Sequence, residues 1–416
     1  MSERADRRPM TESDESYPLA GVRVLDLTRV VAGPYCTRLL SDLGAEVYKI
    51  EPPTADMARA MGDRRHGLSG LFTQHNVGKN CLCIDLDKPG GIELMLELVP
   101  EVDVLVDNFR PGVMERIGMG EQVLRARNPR LIHCQISGFG HDSPSSDRRA
   151  FAGVVHAMSG VLESQARADE RGATDLAHAY ADTATGVHAC NAIVAALFMR
   201  ERTGRGQTID MAMHDVMMSI NESCGEHLFE SPRAMEHHFR GTLLPCKQGA
   251  IVYAGDPIYQ FERFVEAIER ADLLDDPRLS TSRSRTDHRQ VLIDALGDWA
   301  AQQPDAVAAS ERLESFGQPA GEVRTIPEAL RSPEVTGRGM LVDVDDRAGG
   351  RVPVLNTPYF FSAASSGARG HARYRGEDNR RVLGELLGYD DARLDELEQA
   401  AIVIKTAKKR DKPAAS

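Results

Sequence analysis

The stretch that decides the fold is "VRVLDLTRVVAGPYCTRLLSDLGAEVYKIE", residues 22–51. Residues 22–28 form an apolar run typical of a buried strand, and residues 33–44 have the apolar spacing of a helix that ends at Gly44. Residues 45–51 predict a second strand. Strand, helix and strand in this order indicate a βαβ unit, in which a helix connects two parallel strands.

The same alternation continues through the first half of the chain. Residues 80–86 and 102–109 predict strands on either side of a helix at 90–99, and further strands are predicted at 130–140 and 207–213. Strands that alternate with helices imply a parallel sheet covered on both faces. We therefore predict an α/β fold with a Rossmann-like large domain.

The second half of the chain changes in character. Helical patterns dominate after residue 224, interrupted by a polar connector at 275–286, and strand-like sequence returns near residue 335. A chain of 416 residues is too long for one simple core. We predict a disordered lead-in at 1–18, the first part of the large domain at 19–223, a small α+β domain at 224–330, a return to the large domain at 331–403, and a basic flexible tail at 404–416.

Composition limits the function. The net charge is −12, with 42% hydrophobic and 27% charged residues, which is typical of a globular protein and disfavours nucleic-acid binding. No stretch approaches the roughly 20 apolar residues of a membrane span, and the N-terminus lacks an apolar signal core. The seven cysteines include no CxxC pair, which favours reduced thiols and a cytoplasmic location. The histidines lack ligand spacing with acids or cysteines, so no metal site is predicted.

Several common catalytic motifs are missing. The turn after the first predicted strand contains no GxGxxG, and "SGFG" (137–140) and "TGRG" (203–206) lack the third glycine. The chain contains neither GxxxxGK[ST] nor GxSxG. The sequence therefore disfavours an NAD-dependent dehydrogenase, a P-loop enzyme and a serine hydrolase.

The segment "VDNFRPGVMERIG" (106–118) is a candidate ligand site because it follows a predicted strand. Ligands of open α/β sheets bind at the carboxyl ends of the strands. Asn108 offers a polar side chain there, and Arg110 and Arg116 supply guanidinium groups suited to phosphates. Lys79 and Arg149 are further cations near strand ends. Taken alone, the segment also fits an ordinary loop and a solvated helix.

Asp182 stands before a long apolar helix that ends with basic residues and Gly204. An aspartate in this place is usually an N-cap, which accepts a hydrogen bond from the helix backbone. A helix N-terminus also favours an ionised carboxylate, by about 0.3–1 kcal/mol at an exposed site. The residues alone favour a cap and leave open a reactive carboxylate.

Eight segments, in order, resemble the family III CoA-transferases, a group that includes formyl-CoA transferase, carnitine CoA-transferase and the α-methylacyl-CoA racemases. The resemblance runs from about residue 19 to residue 403. The segments are "PLAGVRVLDLTRVVAGPYCTRLLSDLGAEVYKIEPP", "DVLVDNFRPGVMERIG", "SGFG", "AMSGV", "YADTATGVHA", "RTGRGQTIDMAM", "DDPRL" and "GEDN".

The resemblance implies a fold, a nucleophile and a set of CoA contacts. It implies an interlocked homodimer, in which each subunit has a Rossmann-like large domain built from both chain ends and a smaller middle domain. Coenzyme A is expected as part of the acyl-CoA substrate and product, without a tightly bound cofactor. The family's nucleophile falls on Asp182, and its CoA contacts fall on Val31, Ala32, Asp85, Leu86, Asn108, Phe109, Arg110, Arg116 and Arg149.

The implied reaction is transfer of CoA from an acyl-CoA to a carboxylic acid. In such transferases the aspartate attacks the thioester and forms a mixed anhydride, and the CoA thiolate then converts it to an aspartyl-CoA thioester. Family habit favours dicarboxylic acids as acceptors, such as succinate or its unsaturated and hydroxylated relatives. Relatives shelter the site with a glycine-rich flap, whereas the corresponding residues here, 239–250, contain no glycine run.

The racemases of this group use the same aspartate together with a histidine about thirty residues earlier. The matching position here is Phe151, and a phenyl ring cannot accept a proton. Ala152 takes a position that is often acidic in transferases, and His156 takes one that is often glutamine. His156 is therefore either a packed, hydrogen-bonded histidine or a residue of the acyl pocket. A transferase is favoured, and the alternatives are a racemase or isomerase and a CoA-binding protein without catalysis.

Overall fold

The computed structural model of the chain describes residues 16–229 and 241–405. These residues form two compact units: a large one that contains the described residues up to 229 and those from Gly337 onward, and a small one that ends at Thr336. Most of the predicted lead-in and tail, residues 1–15 and 406–416, lies outside the described residues.

The strands fall into one parallel sheet and several short antiparallel ones. A two-residue ladder also pairs Arg64–Arg65 with Leu68–Ser69. The strands are β1 Arg23–Asp26, β2 Glu46–Glu51, β3 Asn80–Cys83, β4 Val104–Asp107, β5 Ile132–Ser137, β6 Gln207–Ala212, β7 Thr242–Pro245, β8 Ala250–Tyr253, β9 Ala320–Glu322, β10 Leu341–Asp345 and β11 Arg351–Leu355.

Helices cover the sheet of the large unit and make up most of the small unit. They are α1 Ala32–Asp42, α2 Gly70–Asn76, α3 Pro89–Leu98, α4 Val113–Arg116, α5 Glu121–Arg127, α6 Ala152–Met158, α7 Val161–Ala168, α8 Tyr180–Thr203, α9 Met213–Ser219, α10 Ser223–Leu228, α11 Phe261–Ala267, α12 Ser282–Asp287, α13 Arg289–Ala300, α14 Ala306–Ser315, α15 Ile326–Arg331, α16 Pro333–Thr336, α17 Asn379–Leu387 and α18 Asp391–Gln399.

The central sheet has six strands in the order β3-β2-β1-β4-β5-β6. Every neighbouring pair is parallel. The prediction of an α/β fold with a parallel central sheet is confirmed. Because the order changes direction between β1 and β4, the carboxyl ends of these two strands border the crevice where such sheets bind ligands.

Both faces of the sheet are buried, as the apolar runs predict. Val24 and its neighbour Leu25 point to opposite faces, and both are fully buried. The Val24 face packs against α1 and α8. The Leu25 face packs against α3, α17 and α18. The two C-terminal helices, α17 and α18, therefore belong to the same hydrophobic core as the first strand.

The edge strand β3 is covered by the segment that contains "GEDN". The Asp378 carboxylate accepts the Cys81 N–H at 2.9 Å, and the Asn379 side-chain oxygen accepts the Cys83 N–H at 2.9 Å. The Ile404 N–H in turn donates to the Cys83 carbonyl at 3.0 Å. These contacts satisfy the backbone of an otherwise open sheet edge. Residues near both ends of the described chain therefore build the large unit.

The small unit has its own core and a three-stranded antiparallel sheet in the order β9-β8-β7. The connector predicted at 275–286 is more ordered than expected, since it contains α12, which begins with a capping box between Thr281 and Ser284. The small domain was predicted at 224–330. Helix α10 at the start of that range lies in the large unit, and α16 beyond its end lies in the small one.

Strand β1 is shorter than the predicted range 22–28. It ends at Asp26, whose carboxylate accepts the Thr28 N–H at 2.9 Å and turns the chain out of the sheet. This turn starts the loop that leads to α1 and positions it at the carboxyl edge of β1.

Candidate active site

Asp182 lies in the first turn of α8, which begins at Tyr180. The N-cap residue is Ala179, which offers no side-chain hydrogen bond. The prediction that Asp182 is the N-cap is therefore wrong. The helix starts earlier than the apolar pattern indicates, and the carboxylate is left without a capping role.

Three helix N-termini converge on the Asp182 carboxylate. Ala32 is the first residue of α1, and Ala152 is the first residue of α6. The backbone groups of both residues face the Asp182 carboxylate and lower its pKa, as does the backbone of Asp182 itself. Since helix N-termini carry a partial positive charge, the carboxylate is surrounded by dipoles that favour its ionised form.

Burial works against these dipoles. The withdrawal of Asp182 from water raises its pKa above the ordinary 3.8, although the backbone of Ala32 and Ala152 lowers it in part. Among the described residues, no lysine or arginine forms an ion pair with Asp182. The Asp182 carboxylate is partly exposed and is not tied to a lysine or arginine, so a substrate can reach it and it is suited to act as a nucleophile.

Gly186 allows α1 to reach Asp182. It follows Asp182 by one helical turn, and a Cβ atom added to it would lie 2.8 Å from the Ala32 carbonyl oxygen and 3.2 Å from the Cys36 nitrogen. Any side chain at this position would push the start of α1 away from α8. The close approach of the two helices thus depends on this glycine.

His156 lies on α6, beside the start of α8, and is 1% exposed. Its Nδ1 is 3.1 Å from Asp175 Oδ1, and its Nε2 accepts the Ala181 N–H at 3.1 Å. Of the two predictions for His156, the structure shows a buried, hydrogen-bonded histidine whose ring nitrogens are both engaged.

The loop between β1 and α1 is held in a strained conformation. Val30 has a φ of 71°, which is rare for a β-branched residue, and its N–H donates to the Asp56 carboxylate at 3.2 Å. Asn108 holds Arg29 from both sides: its side-chain oxygen accepts the Arg29 N–H at 2.9 Å, and its side-chain nitrogen donates to the Arg29 carbonyl at 2.8 Å.

A buried charge network supports this loop. Lys79 Nζ is 3.1 Å from Asp26 Oδ2, and Lys49 Nζ is 3.1 Å from Asp56 Oδ2 and 2.8 Å from the Thr28 carbonyl oxygen. Burial alone would raise the pKa of Asp26, but Lys79 and Lys49 hold it below its ordinary value. Burial also lowers the pKa of Lys79 to about 8. Lys79 is therefore part of the core and not the free cation that its sequence position suggests.

A small open pocket lies at the carboxyl ends of β1 to β4. It brings together three of the predicted contacts, Asp85, Leu86 and Phe109. The Arg29 guanidinium lies 5.6 Å from the centre of the Phe109 ring, and its Nε is buried without a hydrogen-bond partner among the described residues. The nine lining residues are Leu27, Arg29, Ile50, Glu51, Pro52, Asp85, Leu86, Asp87 and Phe109.

The other predicted contacts occupy different places. Val31 is the buried N-cap of α1, next to Ala32. Both polar atoms of the Asn108 side chain hydrogen-bond to the Arg29 backbone, so this side chain holds the loop between β1 and α1. Three predicted cations are exposed and form no ion pair within residues 16–229 and 241–405: Arg110, Arg116 and Arg149.

Sequence reasoning missed Arg29, Asp56, Asp175 and Gly186. Arg29 had a usable signal, because it is a charged residue directly after the first strand of a parallel sheet. The other three act through contacts that depend on tertiary packing, and no local pattern marks them.

Three further observations concern predictions made outside the site. Residues 239 and 240 of the segment compared with a flap lie outside the described residues, and the rest forms β7 and the turn into β8. In the part of the chain that the structure describes, no cluster of three or more His, Cys, Asp or Glu residues is arranged to hold a metal ion. Within the same residues no helix has the length and apolarity that crossing a membrane requires.

Comparison with known proteins gives a consistent result. The model of the family described as CoA-transferase family III matches residues 19–379. The chain is 31% identical to a succinyl-CoA–D-citramalate CoA-transferase from Chloroflexus aurantiacus, over 95% of this chain and 100% of that protein. It is 34% identical to a succinyl-CoA:mesaconate CoA-transferase from Haloarcula hispanica, over 88% of this chain and 96% of that protein.

A solved structure is similar in fold over nearly the same range. The crystal structure of a CAIB/BAIF family protein from Brucella suis has a TM-score of 0.79 and 30% identity to the chain. The match covers 89% of this chain and 100% of that one.

Proposed function

The chain belongs to CoA-transferase family III, and on this premise we propose that it moves CoA from an acyl-CoA donor to a carboxylic acid acceptor through covalent intermediates on Asp182. It is an enzyme that transfers CoA, as the family and its named relatives establish. The proposal concerns the route of transfer, the residues that carry it and the acceptor.

One observation carries the assignment of Asp182. This carboxylate is only partly exposed to water and has no lysine or arginine partner among the described residues, and the first backbone groups of α1 and α6 face it. Backbone donors stay in place while the side chain changes from carboxylate to anhydride to thioester and back. The surroundings of Asp182 can thus stabilise charge on its oxygens throughout the cycle.

The proposed cycle balances without a metal or a redox step. An Asp182 oxygen attacks the thioester carbon and expels the CoA thiolate, which forms a mixed anhydride between Asp182 and the acyl group. The thiolate attacks Asp182 Cγ, which releases the donor acid and forms an aspartyl-CoA thioester. The acceptor carboxylate attacks that thioester and expels the thiolate, and the thiolate then attacks the acceptor carbonyl of the second anhydride. The new acyl-CoA leaves, and the Asp182 carboxylate is regenerated.

We propose that the pocket at the ends of β1 to β4 receives part of CoA. Leu86 and Phe109 supply apolar surface, and the Arg29 guanidinium next to Phe109 has an unused buried donor. We assign the exposed cations Arg110, Arg116 and Arg149 to the phosphates, since guanidinium groups match phosphate oxygens. Asp85 borders the pocket. The Ala32 backbone faces Asp182, which supports assigning Ala32 and its neighbour Val31 to the approach of the thioester.

We infer a dicarboxylic acid as acceptor and succinyl-CoA as donor. The names of the two relatives given above pair succinyl-CoA with D-citramalate and with mesaconate, and both of these acids have two carboxyl groups. These substrates belong to the relatives, and their likeness to this chain supports the same chemical class here.

We also propose a homodimer in the cytoplasm. The exposed face of α8 carries Val187, Phe198 and Met199, which are 41%, 67% and 46% exposed. A helix that faces water normally presents polar residues there, so this face is suited to a second subunit. The seven cysteines are free thiols, which fits a reducing compartment.

No observation favours the racemase. The side chain of Phe151 has no atom that could accept a proton, and it is 65% exposed. Both ring nitrogens of His156 are already engaged in hydrogen bonds. A second base for the α-carbon is therefore missing at both positions. Incubation of one acyl-CoA in D₂O without an acceptor should introduce no deuterium at the α-carbon.

The proposed function is tested by product analysis. Purified protein is incubated with succinyl-CoA and a panel of mono- and dicarboxylic acids, and new thioesters are identified by mass. We expect new acyl-CoAs with dicarboxylic acids and none with Asp182→Asn. Transfer by Asp182→Asn at the wild-type rate would contradict the role of Asp182, and CoA binding without any new thioester would favour a non-catalytic protein.

A further inference from the structure

The first turn of α8 is capped by a side chain from another helix. The first N–H groups of a helix have no acceptor within the helix, and the N-cap residue Ala179 has no side chain that could serve as one. The Ala181 N–H instead donates to His156 Nε2 at 3.1 Å. His156 therefore supplies the cap that the local sequence lacks.

This contact selects one tautomer of the neutral imidazole. Because Nε2 accepts a hydrogen bond, it cannot carry a proton, and the proton of the neutral ring lies on Nδ1. Nδ1 is 3.1 Å from Asp175 Oδ1, which accepts that proton's hydrogen bond. The same Asp175 oxygen accepts the Leu176 N–H at 2.8 Å, which orients the carboxylate.

Packing around α6 is adapted to this arrangement. A Cβ atom added to Gly153 would lie 2.4 Å from Asp175 Oδ2, so a side chain at this position would force the carboxylate to shift from the place where it meets His156. The helix that carries His156 also begins with Ala152, whose backbone faces Asp182. Helix α6 therefore touches Asp182 by two routes: directly through Ala152, and through His156 and the turn at Ala181.

We propose that Asp175 and His156 are a positioning pair that fixes the first turn of α8 and so aims the Asp182 carboxylate at the thioester carbon. The inference rests on the proposed function of Asp182. His156 is not a catalytic base, because its basic nitrogen is occupied by a backbone N–H. It acts on the reaction only through the position of Asp182.

The pair is tested with two substitutions of nearly equal polarity at position 156. The amide oxygen of His156→Gln reaches the place of Nε2 and can accept the Ala181 N–H, whereas the shorter amide of His156→Asn reaches only the place of Nδ1. We expect His156→Gln to keep kcat within about fivefold of the wild type, and His156→Asn to lose about 10²-fold, the cost of a misplaced reacting group. KM for succinyl-CoA should change less than about twofold in both, because binding is not altered.

Substitutions of Asp175 give a graded control. Asp175→Asn retains an acceptor for the Nδ1 proton and should behave like the wild type. Asp175→Ala removes this acceptor, and we expect kcat to fall by about tenfold with KM unchanged. The loss is limited because water can replace the acceptor at this half-exposed site. Thermal melts of all four variants identify any loss of fold.

The outcomes separate this inference from the proposed function. Equal kcat values for His156→Asn and His156→Gln would overturn the positioning role. A lower kcat/KM of His156→Asn that comes from KM alone, with kcat unchanged, would overturn it as well. Asp182→Asn is measured beside them: an inactive Asp182→Asn with fully active His156 variants rejects only the pair. An active Asp182→Asn rejects the proposed function itself.

Discussion

Asp26 and Asp182 are two aspartates shielded from water in opposite ways. Asp26 is fully buried, and its two oxygens are occupied by Lys79 at 3.1 Å, the Thr37 hydroxyl at 2.7 Å and the Thr28 N–H at 2.9 Å. Its pKa is lowered. Within the described residues, Asp182 has no lysine or arginine partner and faces backbone groups and a nearby imidazole, and burial raises its pKa.

The difference distinguishes a structural carboxylate from the one that we propose as the nucleophile. A carboxylate whose oxygens are held by an ammonium and hydroxyls cannot attack a carbon without breaking those contacts. A carboxylate held only by backbone dipoles keeps a free electron pair and pays for its burial with a higher pKa. The partners of each carboxylate, more than its depth, therefore decide its role.

The largest expected effect comes from Asp182→Asn. The amide cannot form an anhydride, so we expect CoA exchange to fall by about 10⁴-fold or more, which corresponds to about 5.5 kcal/mol of activation free energy. The folded protein should melt at the same temperature or higher, because an ionised Asp182 with a raised pKa destabilises the fold above pH 3.8. Exchange rates and thermal melts check both statements. An exchange rate within tenfold of the wild type would contradict the reactive role that distinguishes Asp182 from Asp26.

Breaking the Asp26 pair should affect stability instead of chemistry. Lys79→Met leaves Asp26 with a buried charge that has lost its closest cation, and we expect a loss of about 3–5 kcal/mol in the free energy of unfolding in urea. The double variant Asp26→Asn/Lys79→Met should lose less than the sum of the two single variants, because the uncompensated charge is gone. Strict additivity would show that the pair is not coupled.

Asn108 gives a smaller effect that reports on binding. Asn108→Ala removes both hydrogen bonds to the Arg29 backbone, and we expect a stability loss of about 1–3 kcal/mol. KM for succinyl-CoA should rise about tenfold, since Arg29 lines the pocket.

Asn128 is the matched control for this change. Its side chain donates to the Val99 and Val102 carbonyls and accepts the Arg130 N–H, at a place that does not line the pocket. Asn128→Ala should lower stability by a similar amount and leave KM unchanged. An equal rise of KM in both variants would show that Asn108 acts through general loosening of the fold.

The smallest effect is a separation of two pH dependences. Asp182 must be ionised to react and its pKa is raised, so the rate of CoA release from succinyl-CoA should decline as pH falls, at values above 3.8. Asp26 has a lowered pKa, so its stabilising effect is present above 3.8 and is lost only as pH falls further. Stopped-flow rates and circular dichroism over one pH series test the order. His156→Gln should show the same decline in rate, because the decline is assigned to Asp182. A decline that coincides with unfolding would contradict this assignment.

Much of the fold could be predicted from the sequence. Parallel strands that are buried on both faces appear as apolar runs, which marked all six strands of the sheet, and Gly204 marked the end of α8. The order of the strands could not be predicted, because it depends on how each crossover passes over the sheet. Strand ends were overestimated because a turn such as that of Asp26 and Thr28 continues an apolar run.

The candidate site was less predictable. The role proposed for Asp182 came from the resemblance and not from the helix pattern, which indicated a cap. The true cap acceptor, His156, lies 25 residues before Ala181, and Lys79 pairs with an aspartate 53 residues before it. Local periodicity carries no information about contacts of this kind. A resemblance can place a residue in the chain, but only the packing shows which partners it has.

The most direct test of Asp182 as the nucleophile is to trap its acyl form. The protein is mixed with succinyl-CoA without an acceptor, treated with hydroxylamine and digested, and the peptide that contains Asp182 is analysed by mass. We predict a hydroxamate on Asp182 that depends on succinyl-CoA and is absent when hydroxylamine or succinyl-CoA is left out. An unmodified Asp182 in protein that releases CoA under the same conditions, or a hydroxamate on another residue, would contradict it.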